Sequence, residues 1–147
     1  MLAAWRIGAI TSVVFSGFAA EALADRIEDA GTKLLVTADG LWRRGRVVAL
    51  KEIADRALER ARSVEKVVVV RRLDLSSTSM RSGRDLWWYE LEESIPEDVY
   101  VEPERLESEH PPSSSTPPAP LGSRKRSSTT LVGGRATGGG ASSSVTR

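Results

Sequence analysis

Cysteine is absent from this 147-residue chain, which removes disulfides and thiolate metal sites from consideration. Histidine is almost absent. His110 is the single one, too few for a histidine-based triad or a typical zinc site. Aromatic residues make up 5% of the chain, and all of them lie at or before Tyr100. Acidic residues stop at Glu109; beyond it the charged side chains are Arg124, Lys125, Arg126, Arg135 and Arg147. No apolar run reaches the roughly 18 residues of a membrane span, and no basic leader with a long apolar core opens the chain. A cytoplasmic protein without a membrane partner is the expectation.

What is present divides near residue 110. Lys and Arg number 21 against 20 Asp and Glu, a net charge of +1, and the length suits one domain at most. Five of the seven prolines fall between Pro111 and Pro120. From there the chain is Ser, Thr, Pro, Gly and Arg, with too little apolar surface to offset backbone ordering at about 1–2 kcal/mol per residue. Residues 110–147 are therefore expected to be a disordered low-complexity tail, and residues 1–109 the folded part.

Within residues 1–109 the hydrophobic pattern alternates between two kinds of element. Residues 9–15 (AITSVVF) are apolar and β-branched, as in a buried strand. Ala20, Leu23, Ala24 and Ile27 then recur at helical spacing, and Gly31 is placed to end that helix in a left-handed cap. Residues 33–37 (KLLVT) predict a second strand, closed by a turn at Ala38, Asp39 and Gly40. Residues 50–62 predict a second amphipathic helix. Residues 64–70 (VEKVVVV) predict a third strand, whose unbroken valines imply burial on both faces. This β-α-β-α-β order predicts an α/β fold with a partial parallel sheet and right-handed crossovers. Residues 84–93 predict a short helix with Asp85 near its positive end. An irregular acidic segment, then the tail, follow.

Four segments are candidates for chemistry. Arg43, Arg44, Gly45 and Arg46 form a basic loop just after a predicted parallel strand, where open α/β sheets bind ligands. Clustered guanidiniums suit phosphates, and a solvated charged loop is the alternative. Phe15, Ser16 and Gly17 sit at the end of the first strand, where Gly17 either admits a ligand or only makes the turn. Trp87, Trp88 and Tyr89 resemble a base-stacking platform, but Asp85, Glu90, Glu92 and Glu93 around them would repel a phosphate backbone, so packing is the expected role. Five positive charges spread along the tail are a thin signal for RNA. No nucleic-acid partner is expected, and no metal site or catalytic constellation stands out.

The residues carry a further likeness. Arg6-Ile-Gly-Ala9, Ser12-Val-Val-Phe15, Ser16-Gly-Phe18 and residues 20–31 (AEALADRIEDAG) closely resemble a stretch inside AMP-forming acetyl-CoA synthetases. The likeness continues through residues 36–40, the Arg43 to Arg46 loop, residues 50–53, residues 64–70 and residues 83–88, in the same order. It spans residues 1 to about 109 and implies a fragment of the large N-terminal domain. The resemblance implies ligation of acetate to CoA through an acetyl-adenylate, with ATP, magnesium and CoA taken up as substrates. It implies that the loop of Arg43, Arg44, Gly45 and Arg46 contacts the CoA nucleotide, with Phe15, Ser16 and Gly17 nearby. Ser16 stands where the family usually has a glycine.

The family next has a loop of the type Tyr-Thr-Ser-Gly-Thr-Thr-Gly-Lys-Pro-Lys, whose amides, hydroxyls and lysine hold ATP phosphates. Residues 113–126 read SSSTPPAPLGSRKR instead. Codons for Phe-Ile-Leu-Tyr-Thr-Ser-Gly-Thr-Thr-Gly-Lys-Pro-Lys, read one base downstream, can encode residues 113–124 as they stand. Residues 126–133 are likewise compatible with Ala-Val-Val-His-Asn-Thr-Gly-Gly. The expectation is a frameshift near codon 110, a tail that is an accident of translation, and a chain with no ATP site and no catalysis alone. A complementing ligase fragment would be its partner. The alternative is a CoA-nucleotide-binding or regulatory module derived from the ligase.

Overall fold

The computed structural model describes residues 1–110, residue 113 and, as a backbone strand, residues 128–133. In chain order the elements are α1 (Leu2–Arg6), β1 (Thr11–Phe15), α2 (Ala20–Asp29), β2 (Thr32–Ala38), β3 (Leu41–Arg43) and β4 (Arg46–Val48). They continue with α3 (Leu50–Leu58), β5 (Lys66–Val70), β6 (Asp85–Trp87), α4 (Trp88–Ser94) and β7 (Ser128–Gly133). The expected strand–helix alternation is present, with a small hairpin, β3–β4, inserted before α3.

Five strands form one sheet in the order β1-β7-β2-β5-β6. β2, β5 and β6 run parallel, with Leu35 beside Val67 and Val68 beside Leu86. The interior place of β5 explains its composition. Val67, Val68 and Val69 are all buried, as a strand covered on both faces requires. α2 and α3 pack together over one face. Leu23, Ala24 and Ile27 from α2 and Ala54 and Ala57 from α3 meet Val14, Leu35, Val67 and Val69 of the sheet. Burial of each larger aliphatic side chain stabilises by about 1.5–3 kcal/mol relative to water. Gly31 ends α2 at φ +55, its amide bonded to the Glu28 carbonyl at 3.0 Å, a left-handed cap of the kind its position predicts.

Strand order adds one feature to the expected sheet, and one expectation, a helix beginning at Asp85, is corrected. β1 does not lie beside β2, because β7 runs between them, antiparallel to both. Residues 128–133 are the backbone strand that occupies this gap. The run Thr129-Thr-Leu-Val132 has strand-favouring side chains, and a gap between β1 and β2 would leave two rows of backbone groups without partners. The remaining expectation of disorder, apart from His110 and Ser113, lies outside the described residues. Asp85 also does not begin a helix. It opens strand β6, and α4 starts three residues later at Trp88.

The segment after α4 is irregular, as expected, but anchored. Arg6 Nε donates to the Val101 carbonyl at 2.8 Å, the Glu104 amide donates to the Arg6 carbonyl at 2.8 Å, and the Arg6 guanidinium covers the Tyr100 ring. His110 Nε2 lies 3.2 Å from the Gly8 carbonyl oxygen.

Candidate functional site

The basic segment is the tip of the β3–β4 hairpin. Leu41 pairs with Val48, Trp42 with Val47, and Arg43 with Arg46, leaving Arg44 and Gly45 as a two-residue turn. Both have positive φ, +50 and +72, the pattern of a type I′ turn that matches strand twist. Gly45 adopts it freely. Arg44 does not, and left-handed backbone costs a residue with a Cβ about 1–2 kcal/mol. Cross-strand partners share a face, so Arg43 and Arg46 stand side by side with Leu41 and Val48, while Trp42 and Val47 face out and are exposed.

The other predicted segment, Phe15, Ser16 and Gly17, lies directly against this hairpin. Arg43 Nη1 donates to the Ser16 carbonyl at 3.2 Å. Gly17 has φ +105, and a Cβ there would overlap the Arg43 guanidinium. Segments 27 residues apart are therefore joined into one surface. Phe15 is 48% exposed, and Ser16 is buried. Arg44 and Arg46 are exposed, and neither side chain has a hydrogen bond or ion pair among the described residues. Beneath the turn is a small hollow of about 20 Å³ bordered by Val14, Phe18, Leu23, Leu50 and Ile53. That holds about one water, so a nucleotide-sized ligand would lie across the surface.

Asp39 fixes where the hairpin leaves the sheet. It is 1% exposed. Its carboxylate accepts from the amides of Gly40 at 2.7 Å, Arg72 at 2.9 Å, Leu73 at 3.2 Å and Leu75 at 3.1 Å. Burial by itself would raise its pKa. The four amide donors outweigh that, and the net shift is downward.

The sequence reading missed a buried ion cluster. Lys51 is 1% exposed. Its Nζ lies 2.7 Å from Asp55, 2.8 Å from Asp85 and 2.9 Å from the Ser79 carbonyl. Arg84 bonds both Asp55 and Asp85. Burial pushes the Asp85 pKa up, but Arg84, Lys51 and the Arg81 amide bring it down to about 2. One signal was available. Lys51 falls three residues before Ala54, on the apolar side of α3, and four before Asp55. Beside this cluster is a larger open groove of about 630 Å³, lined by Leu58, Glu59, Arg62, Arg81 and Arg84 among others. None of the predicted site residues borders it.

Trp87 and Tyr89 of the aromatic segment are used for packing, while Trp88 is 45% exposed. Trp87 packs against the core and stacks on Tyr89 with centroids 6.1 Å apart. The Arg71 guanidinium sits over both rings. Among the described residues no group of three His, Asp or Glu is placed to hold a metal ion, and no helix is long and apolar enough to cross a membrane.

Fold and site together define an α/β domain with a basic hairpin clamped to the turn after a sheet strand. The profile of the AMP-binding enzyme family matches residues 1–119. The chain belongs to that family. It is 62% identical over 111 residues to an acetyl-coenzyme A synthetase of Pyrobaculum aerophilum, covering 76% of this chain and 17% of that protein. It is 49% identical over 111 residues to the acetyl-coenzyme A synthetase of Rhodopirellula baltica, covering 76% of this chain and 16% of that protein. It is also 49% identical to that of Streptomyces avermitilis, over 76% of this chain and 17% of the relative. The chain thus spans about a sixth of the length of these relatives.

Proposed function

We propose that these residues are the CoA-nucleotide part of an acetate–CoA ligase, and that the 147-residue polypeptide by itself binds CoA weakly without activating acetate. The single observation that carries this is the bond between Arg43 and the Ser16 carbonyl, which unites the basic hairpin with the turn. Two arginines directly opposite each other on adjacent strands repel. A phosphate between or beside them offsets that repulsion and forms charge-assisted hydrogen bonds of about 1.5–3 kcal/mol each. The identity to acetyl-coenzyme A synthetases supplies the choice of CoA over other phosphorylated ligands.

Activation of a carboxylate by ATP needs donors fixed around a triphosphate. Residues 113–126 carry SSSTPPAPLGSRKR, which lacks the glycine, threonine and lysine pattern of such a loop. A reading frame displaced by one base near codon 110 accounts for the tail. The relatives match over 111 residues, and the family profile extends to residue 119. A complementing polypeptide bearing the remaining ligase segments would be the partner needed for turnover.

Two experiments test this. Exchange of labelled pyrophosphate into ATP, with acetate present, is expected to stay at background for the purified chain; exchange above background refutes the inactive reading. Sequencing genomic DNA across codons 105–135 is expected to reveal the phosphate-loop codons in the neighbouring frame. Their absence refutes the displacement.

A further inference from the structure

Away from the hairpin, α1 and residues 95–109 turn apolar side chains to solvent. Leu2 is 78% exposed and Tyr100 72%, and Ile7, Val99, Val101 and Leu106 are exposed as well. α1 has no buried residue. These side chains share one surface. Arg6 Nε donates to the Val101 carbonyl, the Glu104 amide donates to the Arg6 carbonyl, and the Arg6 guanidinium lies over the Tyr100 ring. Leu2, four residues before Arg6, is on the same face of α1. A Cβ at Gly8 would come within 3.1 Å of the Leu106 side chain, so Leu106 lies over the residues that follow α1.

The charge around this surface has one sign. Residues 95–109 carry Glu97, Asp98, Glu102, Glu104, Glu107 and Glu109 against Arg105 alone, and every residue from 92 to 109 is exposed. Pinning an exposed acidic segment to a helix that buries nothing gains the fold little for the entropy it costs. It does preform a surface, and a contiguous apolar patch with a polar rim is the mark of a protein–protein contact.

We propose that α1 and residues 95–109 are the docking surface for the complementing ligase polypeptide, and that this partner presents an apolar stripe flanked by Lys and Arg. The proposal rests on the reading of the chain as one part of an acetate–CoA ligase. The matched stretch is 17% of the Pyrobaculum aerophilum relative, so a complementing polypeptide would be several times larger than this chain and needs a broad contact. The apolar side chains supply the drive for docking, with Tyr100 as its aromatic anchor. The acidic rim selects the partner's charge. The same rim disfavours a second copy, because a self-complementary contact would set acid against acid. The chain's own Arg124, Lys125 and Arg126 have the right charge, but the serines and glycine beside them supply no apolar stripe.

The test uses the full 147-residue chain and two synthetic amphipathic helices of about 18 residues. Both have the same leucine stripe, flanked by Lys in one and by Glu in the other. Titration is expected to show saturable binding of the Lys peptide that weakens with salt, and no binding of the Glu peptide. Leu2→Ser and Tyr100→Ser are each expected to weaken binding about tenfold. Leu2 is the more exposed of the two, so its variant keeps the test sound if Tyr100→Ser loosens the Arg6 contact. Equal binding of both peptides, or full binding by both variants, overturns the proposal. Two other results overturn it by naming another occupant. A dimer in sedimentation that Leu2→Ser dissociates assigns the surface to a second copy. Tighter peptide binding after Arg124, Lys125 and Arg126 are all replaced by Ser assigns it to the chain's own tail. CoA titration of the same samples separates the surface from the ligase reading. CoA binding without peptide binding refutes the surface alone. Peptide binding that depends on Leu2 and Tyr100, without CoA binding, refutes the ligase reading and leaves the surface standing.

Discussion

Two buried carboxylates, Asp39 and Asp85, hold the connections that place the site. Each has a pKa below the ordinary value of 3.8, and that of Asp85 is about 2. The depressed folded-state value means that their stabilisation is fully present above about pH 4. It is lost as pH falls through the folded value. Urea unfolding at pH 7, 4, 3 and 2 is therefore expected to show a midpoint steady down to about pH 4 and falling steeply below it. A midpoint unchanged to pH 2 contradicts the assignment. At Lys51 the expectation is different in kind. Lys51→Ala leaves Asp85 buried with Arg84 as its remaining cation, and is expected to cost about 3 kcal/mol in the same assay. A cost under about 1 kcal/mol would mean that Arg84 suffices. The pairing that makes Lys51 important joins α3 to β6, across 34 residues of sequence. Hydrophobic periodicity reports only that a lysine sits on the wrong side of a helix, not what neutralises it.

Among the elements, the hairpin was the least legible. Arg43, Arg44, Gly45 and Arg46 read as a basic loop because three-residue strands are too short to show an alternating pattern, and the residue before Gly45 is an arginine. The usual hairpin signal at that position is Asn or Asp. Substituting Arg44→Asn should therefore stabilise the chain by about 0.5–1 kcal/mol while weakening CoA binding. Thermal melts and a CoA titration on the same sample check both halves. A variant that is no more stable would show that Arg44 carries no backbone strain. The long periodic elements were legible. α2, α3 and β5 are where their apolar spacing puts them, and Gly31 caps α2, because those signals are local. Asp85 misled because an acidic residue before an amphipathic run suits a helix start, whereas its side chain was needed by Lys51 and Arg84.

At the scale of the whole molecule, strand order decides what composition could not. β2, β5 and β6 form the parallel sheet that the alternating elements predict. β1 reaches β2 only through β7, a strand drawn from a region whose serine, proline and glycine content argued against structure. Composition averages over tens of residues, and six residues of strand-forming sequence disappear in that average. A chain shortened to residues 1–110 is expected to melt at least about 5 °C lower and to scatter light on standing, since β1 and β2 would each expose an unpaired edge. An unchanged melt would show that β7 adds nothing to the fold.

The site itself depends on this scale too, because the Ser16–Gly17 turn follows β1 while the hairpin, a separate two-stranded sheet, follows β2, and they meet only when both strands are in place. The most direct test is calorimetric titration of the purified 147-residue chain with CoA at low and high salt, alongside Arg46→Gln. The account predicts saturable binding that weakens as salt rises and is reduced in the variant. Absence of binding, or equal binding by the variant at both salt concentrations, would contradict it.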